Sequence, residues 1–141
     1  MGTLRKLAAR MTREADEIET QASDKAVAFA LTVIGALAYE TPVDTTLAIS
    51  NWEIGLGSPV SSRRGAFFPG EKGSTYRLSA QAVIKDARAK LATKTPGQSI
   101  YISNLQPYIR KLNYEGHSKQ GSHFVEVAIM RGRAGLRKNQ G

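Results

Sequence analysis

The 141-residue chain has no cysteine, which excludes a disulfide framework and a thiolate metal site and fits assembly in a reducing cytoplasm. Histidine is nearly as scarce. His117 and His123 are the only two, divided by loop residues instead of the one-turn helical spacing that aims two imidazoles at one metal. Neither has a recognisable nucleophile and orienting acid beside it in sequence, so both read as surface or interface residues. Long apolar runs are also missing. Met1 to Lys6 lacks the apolar stretch of a signal peptide, and the run from Ala26 to Tyr39 is short for a bilayer span. The expectation is a soluble protein without an export signal.

Acidic residues are in deficit, 12 against 20 Lys and Arg, for a net charge of +8 and a pI near 10.0. A polyanion is therefore the first partner to consider; the alternative is that the excess cations keep the surface solvated. At 41% hydrophobic and 23% charged residues, the composition is that of one folded domain with a modest core.

No proline precedes Pro42, and residues 4 to 39 are dominated by Ala, Glu, Arg and Leu, as in a long helix. Its second half sets Val27, Ala30, Leu31, Ile34, Leu37 and Ala38 at steps of three and four, a broad apolar face that marks the core helix. Its first half runs from basic (Arg5, Lys6, Arg10, Arg13) to acidic (Glu14, Asp16, Glu17, Glu19). There the apolar stripe is only Leu4, Leu7, Met11 and Ile18, so this half either projects towards a neighbour or is a solvated extension. Pro42 ends the helix, and Asp44 and Thr45 supply turn or capping oxygens.

Alternation predicts a strand over Ile49 to Leu56, thinned by Gly55 and Gly57 to a bulge or close approach. Residues 58 to 78 form a loop too long for a simple connector. Its Phe67 and Phe68, with Arg63, Arg64, Lys72 and Arg77, either dock a partner or fold back onto the core. Within it, the stretch from Gly65 to Thr75 superficially suggests a phosphate cradle, but Glu71 separates Gly70 from Lys72 and Gly73 follows. That spacing fails the motif, and nucleotide binding is rejected.

Ser79 is the expected N-cap of a helix to about Ala92, and Pro96-Gly97 a turn. A second strand spans Gln98 to Ser103, with Ile100 and Ile102 opposite Tyr101. Tyr108, Ile109 and Leu112 make a short helical face after the turn at Asn104 and Pro107. A final helix is expected from near Ser122, fraying after Gly132 into a basic tail over residues 131 to 141. Its Arg131, Arg133, Arg137 and Lys138 suit phosphates or an acidic partner. The expected architecture is α+β: a domain over residues 1 to 130 with a long N-terminal helix, a small β-sheet and two shorter helices, plus the flexible tail. Trp52 reads as core, and Asn51, Asn104 and Asn113 satisfy bends or touch neighbouring subunits. Nothing in the residues supports an enzyme, a metal or a cofactor.

Four segments in order carry a resemblance: Thr41-Pro-Val-Asp-Thr-Thr-Leu-Ala-Ile-Ser-Asn-Trp52, Ile102-Ser-Asn-Leu-Gln-Pro-Tyr-Ile-Arg-Lys-Leu-Asn113, Gly116-His-Ser-Lys-Gln-Gly121 and Phe124-Val-Glu-Val-Ala-Ile129. Over roughly residues 30 to 130 the chain resembles the tail-completion and neck proteins of tailed bacteriophages, the minor tail protein Z-like family. It departs at Thr46, where that family has Gly, at Ala48 in place of a basic residue, and at Gly121-Ser122-His123 in place of Ala-Pro.

The resemblance implies a virion structural protein at the head-tail interface, assembled in the host cytoplasm as a ring of six or twelve copies. It would join portal, adaptor or tail proteins and pass genomic DNA through its lumen, away from any membrane. Pro42, Asp44, Asn51, Trp52, Asn104, Pro107, Tyr108 and Asn113 would be its structural motif. Arg63, Arg64, Phe67, Phe68, Lys72, Arg77, His117, Lys119 and Gln120 are the candidate subunit or partner contacts. The alternative function is a basic nucleic-acid module that ignores base sequence.

Overall fold

The computed structural model describes residues 2–41, 46–69, 74–115 and 123–138. The fold is α+β. A 39-residue helix, α1 (Gly2–Glu40), is followed by α2 (Thr46–Ser50), β1 (Glu53–Leu56), α3 (Tyr76–Leu91), β2 (Ile100–Ser103), α4 (Ile109–Glu115) and α5 (Phe124–Lys138). The two strands pair antiparallel, Glu53 with Ser103 through Leu56 with Ile100.

At 1.5 Å per residue α1 is about 58 Å long, and its two halves differ. Every residue from Gly2 to Ala22 is exposed. Ala30, Val33, Ile34, Leu37 and Ala38 are buried because α3 and α5 pack on that half. By length and composition α1 holds an 18-residue window apolar enough to cross a membrane, and the core supplies another reason for that composition. Ile49, Trp52 and Ile54 join Val83, Ala87 and Leu91 of α3 and Phe124 and Ala128 of α5 to complete the core.

Helix α5 reaches α1 through Gly132. A Cβ there would lie 2.6 Å from Val33 Cγ2 and 2.8 Å from Phe29 Cε2, so only glycine permits this approach. At Gly55 a Cβ would strike the carbonyl of Ser58, which realises the close backbone approach expected at the end of β1.

Three expectations are corrected. The strand expected from Ile49 begins at Glu53, and Thr46–Ser50 is helical. Ala48, Ile49, Ser50, Asn51 and Trp52 are buried in succession; a strand would turn alternate residues outward, whereas a helical turn closing on Asn51 and Trp52 buries all five. Ser79 is not an N-cap: α3 starts at Tyr76 after Thr75, and Ser79 is wholly buried in its first turn. Residues 131 to 138, expected as a flexible tail after Gly132, continue α5 to Lys138. The glycines do not end that helix because Gly132 is its contact with α1, and the Arg131 guanidinium meets Glu40 Oε1 at 2.6 Å. Besides the two shorter helices of the expected architecture, α2 is present, and α4 stands where a short helical face was expected after the turn at Asn104 and Pro107.

Candidate functional site

The described residues of the segments 41 to 52 and 102 to 113 are tied together by hydrogen bonds. The Trp52 indole N–H donates to Thr41 Oγ1 at 2.7 Å, and that hydroxyl donates to the Leu37 carbonyl at 2.5 Å. Both residues are buried, so the chain of bonds satisfies an indole donor that would otherwise be orphaned. It also ties the end of α1 to the start of β1. The Trp52 ring meets Phe124 edge-on, centroids 6.5 Å apart. From the second segment, Asn104 Nδ2 donates to the Ala48 carbonyl at 2.7 Å and its Oδ1 accepts from the Gln106 N–H.

Asn113 caps α5 from outside it. Its Oδ1 accepts the Val125 N–H at 3.0 Å, one of the orphan donors of a helix start, and its Nδ2 donates to Glu126 Oε2 at 3.1 Å. His123, directly before the helix, sits at φ 65°, and its N–H donates to the Asn113 carbonyl at 2.6 Å. The Glu126 carboxyl is held below its ordinary pKa by its own backbone N–H first and by Asn113 next, with His123 and Tyr114 adding to the effect.

The loop after β1 is fastened by Arg64. Its backbone N–H donates to Asn51 Oδ1 at 2.9 Å, while Asn51 Nδ2 donates to the Arg64 and Leu47 carbonyls, each at 2.8 Å. The guanidinium donates to the Ser50 carbonyl at 2.5 Å and the Trp52 carbonyl at 2.8 Å. It pairs with Asp86 Oδ2 at 3.0 Å and lies 3.5 Å from Glu53 Oε1. Lys90 completes the square, 2.5 Å from Glu53 and 3.3 Å from Asp86.

The fork geometry of arginine lets one side chain close two carbonyls and reach two acids. Arg64 is thus committed to its own chain, and its cation also covers the Phe67 ring at 4.4 Å. With the Phe67 N–H donating to Ser50 Oγ at 3.0 Å, the loop presents a fixed edge. Phe67, Phe68 and Leu78 are exposed there around a shallow depression of about 330 Å³ completed by Gln81, Ala82 and Lys85. Leu78, on the outer face of α3, was not singled out in the sequence; its place one turn after Thr75, whose hydroxyl donates to the Phe68 carbonyl, brings it to the patch.

The other candidate residues are dispersed. Arg63 and Arg77 are exposed, Arg77 beside the Tyr76 ring. Pro107 and Tyr108 lie in the turn before α4, Pro107 exposed and Tyr108 half-buried. Arg133 and Arg137 are exposed one helical turn apart on the outer face of α5. Pro42, Asp44, Lys72, His117, Lys119 and Gln120 lie outside the described residues, as does the side chain of Lys138. Among the described residues no three His, Asp or Glu side chains gather as a metal site. The arrangement can bind surfaces: an apolar patch held by an arginine staple, and a half-free helix. No protein-family model matches the chain, and neither a curated protein nor a solved structure matches it.

Proposed function

We propose that the protein is a structural component of a tailed-bacteriophage virion, a neck or tail-completion protein of the minor tail protein Z-like kind. It acts at the head-tail junction without enzymatic chemistry. The observation that carries the reading is the union of the segments bearing the resemblance. Thr41, Asn51, Trp52, Asn104 and Asn113 all serve as hydrogen-bonding ties in one scaffold. That scaffold holds outward two surfaces suited to neighbours, the Phe67-Phe68-Leu78 patch and the free half of α1.

A ring of such subunits docks one face on portal or adaptor proteins and the other on the tail. The +8 charge keeps its lumen favourable to DNA phosphates without base readout. The test is electron microscopy of particles from a phage whose copy of this gene carries an early stop codon. Separated heads and tails, or heads that lose their DNA, are expected; intact infectious particles would overturn the proposal.

A second reading, a nucleic-acid module that ignores base sequence, is favoured by one feature: Arg133 and Arg137 are aligned on an outward helical face. It requires duplex binding that weakens steeply with salt and is lost in Arg133→Ala/Arg137→Ala. Absence of binding near physiological salt would exclude it.

A further inference from the structure

A compact 15.3 kDa monomer exposes about 7,100 Å² by surface-to-mass scaling. This chain exposes 9266 Å². The excess, roughly 2,100 Å², is more than the roughly 800 Å² that each partner of a standard interface buries. The free half of α1, exposed at every residue from Gly2 to Ala22, contributes to it. Some 20 residues of helix without packing are marginal in water, and this stretch carries Leu4, Leu7, Met11 and Ile18 at 69, 50, 61 and 66% exposure.

The geometry points to a second copy of this chain as the occupant, with the two free halves of α1 lying antiparallel about a two-fold axis near Arg13. Two independent features of the helix select that partner and that direction. The first is shape. The apolar stripe is Leu4, Leu7, Met11, Ala15, Ile18 and Ala22, a row with the spacing of a nearly straight helix seam. Reversed about position 13, Leu4 meets Ala22 and Met11 meets Ala15, large against small. Ile18 falls opposite Ala8 of the other copy, one residue from Leu7, so the seam again sets large against small as a helix interface must.

The second feature is charge. Residues 5 to 13 carry four cations and no acid, and residues 14 to 19 four acids and no cation. Antiparallel pairing lays each basic block along the other copy's acidic block, with Arg10 facing Glu14 and Glu17 on one flank and Arg5 facing Glu19 on the other. Parallel pairing in register would lay basic block beside basic block and acidic block beside acidic block, which like-charge repulsion disfavours. The only described ion pair in this half, Arg10 with Glu14 at 3.8 Å, is widely exposed and leaves the blocks free to pair. An isologous contact closes on itself, so it yields a dimer of the free chain. It stands apart from any place in a virion.

The test is sedimentation of the full chain at micromolar concentration, with circular dichroism to verify folding. The native chain is expected to be dimeric. Arg5→Glu/Arg10→Glu and Glu17→Arg/Glu19→Arg each weaken self-association at least about ten-fold, because symmetry counts every reversed contact twice. Mixing the two folded variants restores dimers. Orientation is read by disulfide trapping in a chain that has no cysteine of its own. Oxidising a mixture of Leu4→Cys and Ala22→Cys copies gives the mixed dimer, whereas Leu4→Cys alone stays uncrosslinked because its thiols lie about 27 Å apart along the pair. A monomeric native chain, charge variants that associate as the native chain does, or crosslinking of Leu4→Cys to itself would each overturn the proposal. None of these results depends on a phage phenotype.

Discussion

Replacing Arg64 by methionine removes the cation while keeping much of the side chain's length and apolar volume. Two backbone carbonyls, of Ser50 and Trp52, lose charge-assisted donors at 2.5 and 2.8 Å, each contributing about 1.5 kcal/mol. Glu53 and Asp86 are left to share Lys90, and the cation over Phe67 disappears. The side chains of this cluster are only 18 to 34% exposed, so water compensates in part, and the ion pairs add about 0 to 1 kcal/mol each. The expected loss is about 3 kcal/mol.

At a urea slope of roughly 1.5 kcal/mol/M, that lowers the unfolding midpoint by about 2 M. Trp52 is the only tryptophan and one of the two carbonyl partners, so its fluorescence reports the transition where the perturbation is made. Arg64→Lys recovers at most about half of the loss, because an ammonium cannot fork between two carbonyls and an acid. Arg63→Met, one residue away and exposed, should stay within about 0.5 kcal/mol. An Arg64→Met midpoint within about 0.3 M of the parent's would refute the staple.

Three further outcomes are expected. Thr41→Val leaves the buried Trp52 indole N–H without its acceptor and costs about 1–3 kcal/mol; Trp52→Phe combined with it should cost less than the two changes added, measured by urea unfolding in a double-mutant cycle. Gly132→Ala places a methyl against Val33 and Phe29 and lowers the melting temperature despite its better helix propensity. Gly135→Ala, whose Cβ would lie 3.9 Å from Thr32 Oγ1, raises it by an increment worth about 0.5–1 kcal/mol; the reverse order would contradict the α1–α5 packing. Because the folded Glu126 carboxyl titrates below its ordinary value of about 4.5, its stabilising contribution is fully present above that pH and is lost as pH falls through the folded value. The acid limb of a stability-pH curve is therefore expected to be shallower in Glu126→Gln.

Periodicity and punctuation made much of this fold legible. The proline-free stretch ending at Pro42 is one helix; Ile100 and Ile102 face the core with Tyr101 outside; Gly97, at φ 83°, sits in the Pro96-Gly97 turn. These features follow from local rules: steric limits on φ and ψ, the period of a helix or strand, and the conformational freedom of glycine. Segments whose state depends on distant partners were misread. Ile49 to Leu56 alternates acceptably for a strand, yet the core demands five consecutive buried residues from Ala48 to Trp52. Gly132 looks like a helix end until Phe29 and Val33 arrive beside it. Asn113 caps a helix that starts eleven residues downstream, and no capping rule that reads the chain in order finds it.

The candidate contact surface divides in the same way. By itself the sequence determined the adjacent phenylalanines of a long loop, the charge reversal along α1 and the absence of cysteine chemistry, since each is a property of side-chain type and spacing. The tertiary structure alone decided that Arg64 turns inward to hold Ser50, Trp52 and Asp86 while Phe67 and Phe68 stay outside. A guanidinium goes where several acceptors converge, and those acceptors lie 12 to 22 residues away along the chain, brought together only when α2, β1 and α3 pack.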